Sequence, residues 1–86
     1  MNYAVEWNPS AMEAINRLWQ LTSNRDAILR AMWDIEAALR DDPHDVGESR
    51  PDDRRITYAT PLGVRFEIDD AVFQVKIIAA WAIRRV

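Results

Sequence analysis

Eighty-six residues make one small domain, spanning residues 1–86, and leave no room for a second catalytic one. With 49% hydrophobic and 29% charged residues the chain can build a core and is not compositionally disordered, and the absence of cysteine removes disulfide, thiolate and cysteine-zinc chemistry. The net charge of −3 is uneven, with four bases against nine acids in residues 1–49 and seven against five in residues 50–86, so an anionic ligand meets the second half more readily, although the total argues against tight autonomous nucleic-acid binding.

In chain order, Tyr3, Val5 and Trp7 alternate with Ala4 and Glu6, which predicts a short strand with one buried face. Asn8-Pro9 is a helix-start signal, because asparagine caps free amides and proline fits the first turn. Ala11, Ile15, Leu18 and Thr22 then recur at helical spacing, which predicts a helix over about Pro9 to Leu21. Ser23 followed by Asp26 reads as a capping box for a second helix, whose stripe is Ile28, Met32, Ile35 and Leu39. Glu13 with Arg17, Asp26 with Arg30 and Glu36 with Arg40 are acid-before-base pairs on solvated faces, each worth ~0.2–0.5 kcal/mol. Asp42-Pro43 ends the second helix, since the residue before proline is pushed out of the helical region.

Residues 43–53 are polar, hold two prolines and Gly47, and read as a loop. After them Ile56, Tyr58 and Thr60 alternate with Arg55, Thr57 and Ala59. Leu62, Val64, Phe66 and Ile68 then face one way, with Gly63, Arg65 and Glu67 facing the other. Asp69-Asp70-Ala71 predicts a tight turn, beyond which Phe73, Val75, Ile77 and Ala79 are expected inward, opposite Gln74 and Lys76. Strand, two helices and a three-stranded meander make a two-layer α+β domain, with the first strand free to join the sheet.

No Gly-rich phosphate loop, Ser-His-Asp set or His/Cys metal cluster can be built, and no cofactor is expected. His44, the lone histidine, is expected to sit against the carbonyl end of the second helix. The aspartate pairs 41–42, 52–53 and 69–70 read as soluble loops and turns. Trp7 and Trp19 are expected in the core, whereas Trp33 lies off the apolar stripe and Trp81 near the end of the last strand, as partner-binding candidates. The N-terminal sequence has no basic-then-apolar leader pattern, and the uncharged run from Ile77 to Ile83 is too short to span a bilayer. The expectation is a soluble, cytoplasmic protein with no membrane partner.

Tyr3-Ala4-Val5-Glu6-Trp7, the Ala-rich helical pair, Leu39-Arg40-Asp41-Asp42-Pro43 and the closing RRITY, PLGVRFEID and VFQVKIIAAW segments form, in this order, a set that resembles the RelE/ParE toxin superfamily over Asn2 to about Arg85. The resemblance implies a RelE/ParE-like fold with a helical hairpin packed on an antiparallel sheet. It also implies the toxin of a bacterial type II toxin-antitoxin system, neutralised by a cognate antitoxin. The implied target is either mRNA on the ribosome, cleaved by an endonuclease (an mRNA interferase), or DNA gyrase. Cleavage through a 2′-hydroxyl builds charge on the phosphate, which guanidinium groups stabilise. On this resemblance Arg65 and Arg84 are the catalytic candidates, and Arg54, Arg55, Lys76 and Arg85 the RNA-binding ones. The family's middle-strand arginine falls on Gly63, and no tyrosine follows Arg84 and Arg85. Both departures favour an alternative of another class, a catalytically degenerate member of the fold that acts by self-association as a homodimer.

Overall fold

The computed structural model describes residues 2–49 and 54–83. The alternating start forms β1 (Ala4–Trp7), and Asn8 caps α1 (Pro9–Leu21), its Oδ1 accepting the Ala11 N–H at 2.9 Å. The cap of α2 (Arg25–Asp41) is not Ser23 as expected. Asn24 Oδ1 accepts the Ala27 N–H at 3.2 Å, and Thr22 Oγ1 accepts the Asn24 N–H at 3.1 Å, a turn that places Asn24 at the first free amides. Of the three expected intrahelical ion pairs, the described residues form that between Glu36 and Arg40, at 3.9 Å. Glu36 also accepts the Trp7 indole N–H at 2.6 Å, which ties β1 to α2.

Beyond α2 the expected loop holds a 3-10 turn (Pro43–Asp45) and the two-residue strand β2 (Glu48–Ser49), while residues 50–53 lie outside the described residues. Gly47 makes β2 possible: it takes φ 73°, and any Cβ there would run into the carbonyl of Ile56 on the paired strand. The meander is β3 (Arg55–Ala59), β4 (Leu62–Asp69) and β5 (Gln74–Ala82). The sheet order is β1-β5-β4-β3-β2, with β1 parallel to β5 and the remaining pairs antiparallel. The helical hairpin is the crossover that makes the parallel pair possible, because parallel neighbours cannot be joined by a tight turn.

Both helices cover one face of the sheet. Ile15 of α1 and Ile28, Ile35 and Leu39 of α2 pack with Leu62, Val64, Phe66, Val75 and Ile77 in one core. Each such large side chain, fully removed from water, contributes ~1.5–3 kcal/mol. Trp7 and Trp19 are partly buried against it, as expected. No described helix is long and apolar enough to cross a membrane.

The register corrects the expected facing of β5. Asp69 to Phe66 pair regularly with Gln74 to Ile77, but Arg65 pairs with Ala79, so Ile78 is the extra residue of a bulge. The slip turns Ala79 outward beside Arg65 and brings Ala80 back towards the core. Phe73 is not inward either. It lies in the β4–β5 turn at φ 50°, half-exposed, its ring edge-on to Tyr3 at 5.5 Å. The turn runs over residues 70–73, longer than the expected Asp69-Asp70-Ala71.

The open face of the sheet as candidate functional site

One face of the sheet carries no helix, and the strand registers define its rows. Tyr58 pairs with Gly63 and Gly63 with Trp81; two residues along, Ile56 pairs with Arg65 and Arg65 with Ala79; beyond the bulge Glu67 pairs with Lys76. Adjacent rows are about 7 Å apart, twice the rise per strand residue. Arg65 and Lys76 form no hydrogen bond or ion pair among the described residues. Arg54 Nε donates to Glu67 Oε1 at 3.0 Å, so the acid of this face is shared with a neighbouring cation.

The expected site residues separate into three groups. Arg65, Lys76 and Arg54 come together on or beside the open face. Arg55 does not join them. It pairs with buried Phe66, on the helix side, and its guanidinium donates to the Val46 and Gly47 carbonyls at 3.1 and 3.2 Å, pinning the chain before β2. Arg84 and Arg85 lie outside the described residues. Of the two partner candidates, Trp33 is 63% exposed on α2. Trp81 lies on the open face near the end of β5, as expected, its ring edge-on to Tyr58 at 6.3 Å and 80°.

Gly63 explains that aromatic pair. Its backbone is ordinary strand, so conformational freedom is not the reason for glycine. A Cβ at position 63 would stand 2.5 Å from Trp81 Nε1, 2.6 Å from Cε2 and 2.9 Å from Cζ2. The indole occupies the volume a side chain would take, and the bulge puts it there: with unbroken register Gly63 would face Ala80. Tyr58, 56% exposed, is the functional candidate that the sequence reading passed over. Its signal was a glycine inside a strand, which marks a close approach.

At the opposite end of the molecule Asp70 Oδ1 accepts both the Tyr3 hydroxyl and His44 Nε2 at 2.7 Å. His44 is therefore not at the carbonyl end of α2. The 3-10 turn carries it past that end to the β4–β5 turn, where a carboxylate is a stronger partner than a partial dipole. The hydrogen bond from His44, then that from Tyr3, hold the Asp70 carboxyl below its ordinary value, and the bond to Asp70 pushes the Tyr3 phenol up. At the helix tips an apolar groove of about 250 Å³ is lined by Leu18, Leu21, Ile28, Pro61 and Leu62, with Leu21 83% exposed.

No family model matches the chain, and no curated protein matches it significantly. Solved structures do. The RelBE2 toxin-antitoxin complex from Mycobacterium tuberculosis is similar at TM-score 0.76 and 20% identity, covering 95% of this chain and 99% of that one. The isolated RelE toxin of E. coli gives TM-score 0.65 and 13% identity over 98% and 87%. A chromosomal ParDE toxin-antitoxin system from P. aeruginosa gives 0.64 and 13% over 95% and 97%. With near-complete coverage on both sides, the chain has the fold of the RelE/ParE toxins.

Proposed function

We propose that this chain is the toxin of a type II toxin-antitoxin pair and that it acts through the open face of its sheet. The observation that carries the reading is the end-to-end likeness to chains of toxin-antitoxin complexes, joined to two cations on that face, Arg65 and Lys76, that form no hydrogen bond or ion pair among the described residues. The antitoxin is a segment that covers apolar surface, for which the Leu21 groove and exposed Trp33 are the available seats. A domain of this size buries only about 60% of the surface its unfolded chain exposes, so such cover also stabilises.

The chemistry assigned to the face is cleavage of mRNA on the ribosome in the cytoplasm. The 2′-hydroxyl gives its proton to solvent and attacks the adjacent phosphorus, the bond to the 5′-oxygen breaks as that oxygen takes a proton from solvent, a 2′,3′-cyclic phosphate and a 5′-hydroxyl result, and negative charge grows on the phosphate oxygens in between. Arg65 and Arg84 stabilise that charge without changing protonation, while Lys76, Arg54 and Arg85 hold the backbone. Arg55 supports the fold of the β2 segment and is left out of this set.

A second reading has its own observation. Where the resemblance places an arginine, the chain has glycine with an indole seated on it. That favours a member of the fold without nuclease activity, either a gyrase-directed toxin or a self-associating protein. Inducing the chain alone, and together with the product of the adjacent reading frame, tests the toxin reading. Growth should stop in the first case and continue in the second, with the two products co-purifying. Unimpaired growth with a neighbour that does not bind refutes it, and light scattering after size exclusion then reports self-association.

A further inference from the structure

The open face holds an arrangement that neither charge neutralisation nor core packing accounts for. Trp81 and Tyr58 stand nearly perpendicular across Gly63, forming a corner with a floor and a wall, and Tyr58 is more than half exposed. The Trp81 indole N–H has no acceptor among the described residues. One row away Arg65 lies between the short side chain of Ala79 and Ile56 and forms no ion pair among the described residues, Glu67 two residues along being bonded to Arg54. Lys76, exposed, continues the same face.

We propose that the Trp81–Tyr58 corner is a stacking seat for one unpaired base of single-stranded RNA, with Arg65 taking the adjoining phosphate. The proposal rests on the open face being the effector surface and adds how that face recognises its ligand. An aromatic ring stacks any base, because every base has a flat π-face. The flanking charges select the ligand class: Glu67, the acid of this face, is bonded to Arg54, and a chain with a phosphate beside each base supplies anions for Arg65 and Lys76, which form no ion pair among the described residues. Glycine at 63 exchanges one guanidinium for a stacking surface, so affinity moves from charge to stacking. This also reconciles an RNA-contacting face with a net charge of −3.

The test is fluorescence anisotropy of a labelled, unstructured RNA octamer and of an abasic octamer with the same backbone, at a series of salt concentrations. Trp81→Ala should weaken RNA binding roughly 5- to 150-fold, the loss expected on removing a stacking ring, and Trp81→Phe should restore most of it. The abasic strand should bind wild type about as weakly as RNA binds Trp81→Ala. Two phosphate contacts give a log–log salt slope of about −1.4, which Arg65→Ala should reduce by about 0.7 while Trp81→Ala leaves it unchanged. Circular dichroism confirms that each variant is folded. Equal affinity for the abasic strand, or full affinity in folded Trp81→Ala, overturns the seat. So does binding of an acidic peptide at this face in place of RNA. Growth arrest on induction of wild type is scored separately, so failure of the seat with wild-type arrest intact leaves the toxin reading standing, and absence of arrest by wild type removes that reading.

Discussion

Gly63→Ala is the sharpest perturbation of the open face, because the structure fixes what the new methyl group meets. At 2.5 Å from Nε1 and 2.6 Å from Cε2 of Trp81, the Cβ stands well inside ordinary van der Waals contact, and the ring must tilt off the sheet. Inserting a carbon into a filled position costs ~1–3 kcal/mol. Against this, replacing a glycine whose backbone is ordinary strand stabilises by ~0.4–1 kcal/mol through the unfolded chain. The net effect should lie between no change and a loss of ~2.6 kcal/mol. In a Trp81→Ala background the obstruction is gone, only the second effect remains, and Gly63→Ala should become stabilising. The two substitutions should therefore couple by ~1–3 kcal/mol, well above the ~0.3–0.5 kcal/mol within which independent sites add. Equilibrium urea unfolding of the four proteins of the cycle, with a common slope, gives this coupling. Additive effects of the two substitutions would refute the claim that the indole sits on Gly63.

Asn24→Ala should cost ~0.5–2 kcal/mol of stability while Ser23→Ala stays within ~0.5 kcal/mol, which urea unfolding distinguishes. Because the folded-state pKa of Asp70 is lowered from 3.8, its contribution to stability is full above that value and is lost as pH falls through the lower folded value; thermal melts of Asp70→Asn should lose part of the acid dependence that wild type shows. Tyr3 runs the other way: its pKa is raised from 10.0, so its contribution is full below that value and disappears as pH climbs through the folded one, a limb that Tyr3→Phe should lack. Trp33→Ala should leave stability within ~0.5 kcal/mol but weaken antitoxin binding by ~2 kcal/mol or more, measured by titration calorimetry.

The periodicities of the helices and of β4 were legible because each buries one face: Ile28, Ile35 and Leu39, and Leu62, Val64 and Phe66, are core where their spacing places them. The two-layer arrangement followed from element order. Pattern could not reveal the bulge at Ile78, since a run of apolar residues such as Ile77 to Ala80 has no alternation to mark an inserted residue. That slip put Ala79 outward and Trp81 over Gly63, so the character of the site depended on the one feature the pattern concealed. That Arg65 and Lys76 share the outward face was legible from the strand alternation. Arg55 misled because its partners are backbone carbonyls before β2, which carry no side-chain signature. His44 misled for a related reason: Asp70 is 26 residues away and reaches it only through the tertiary fold.

Whether the open sheet face is what arrests a cell is read most directly by viable counts after induction of wild type and of Arg65→Glu, with folding of the variant confirmed by circular dichroism and its binding to the antitoxin measured. Wild type should lower the counts sharply and co-expressed antitoxin should restore them, while the folded variant leaves the counts unchanged because a carboxylate now faces the phosphate. A folded Arg65→Glu protein that kills as efficiently as wild type would contradict the assignment of that face.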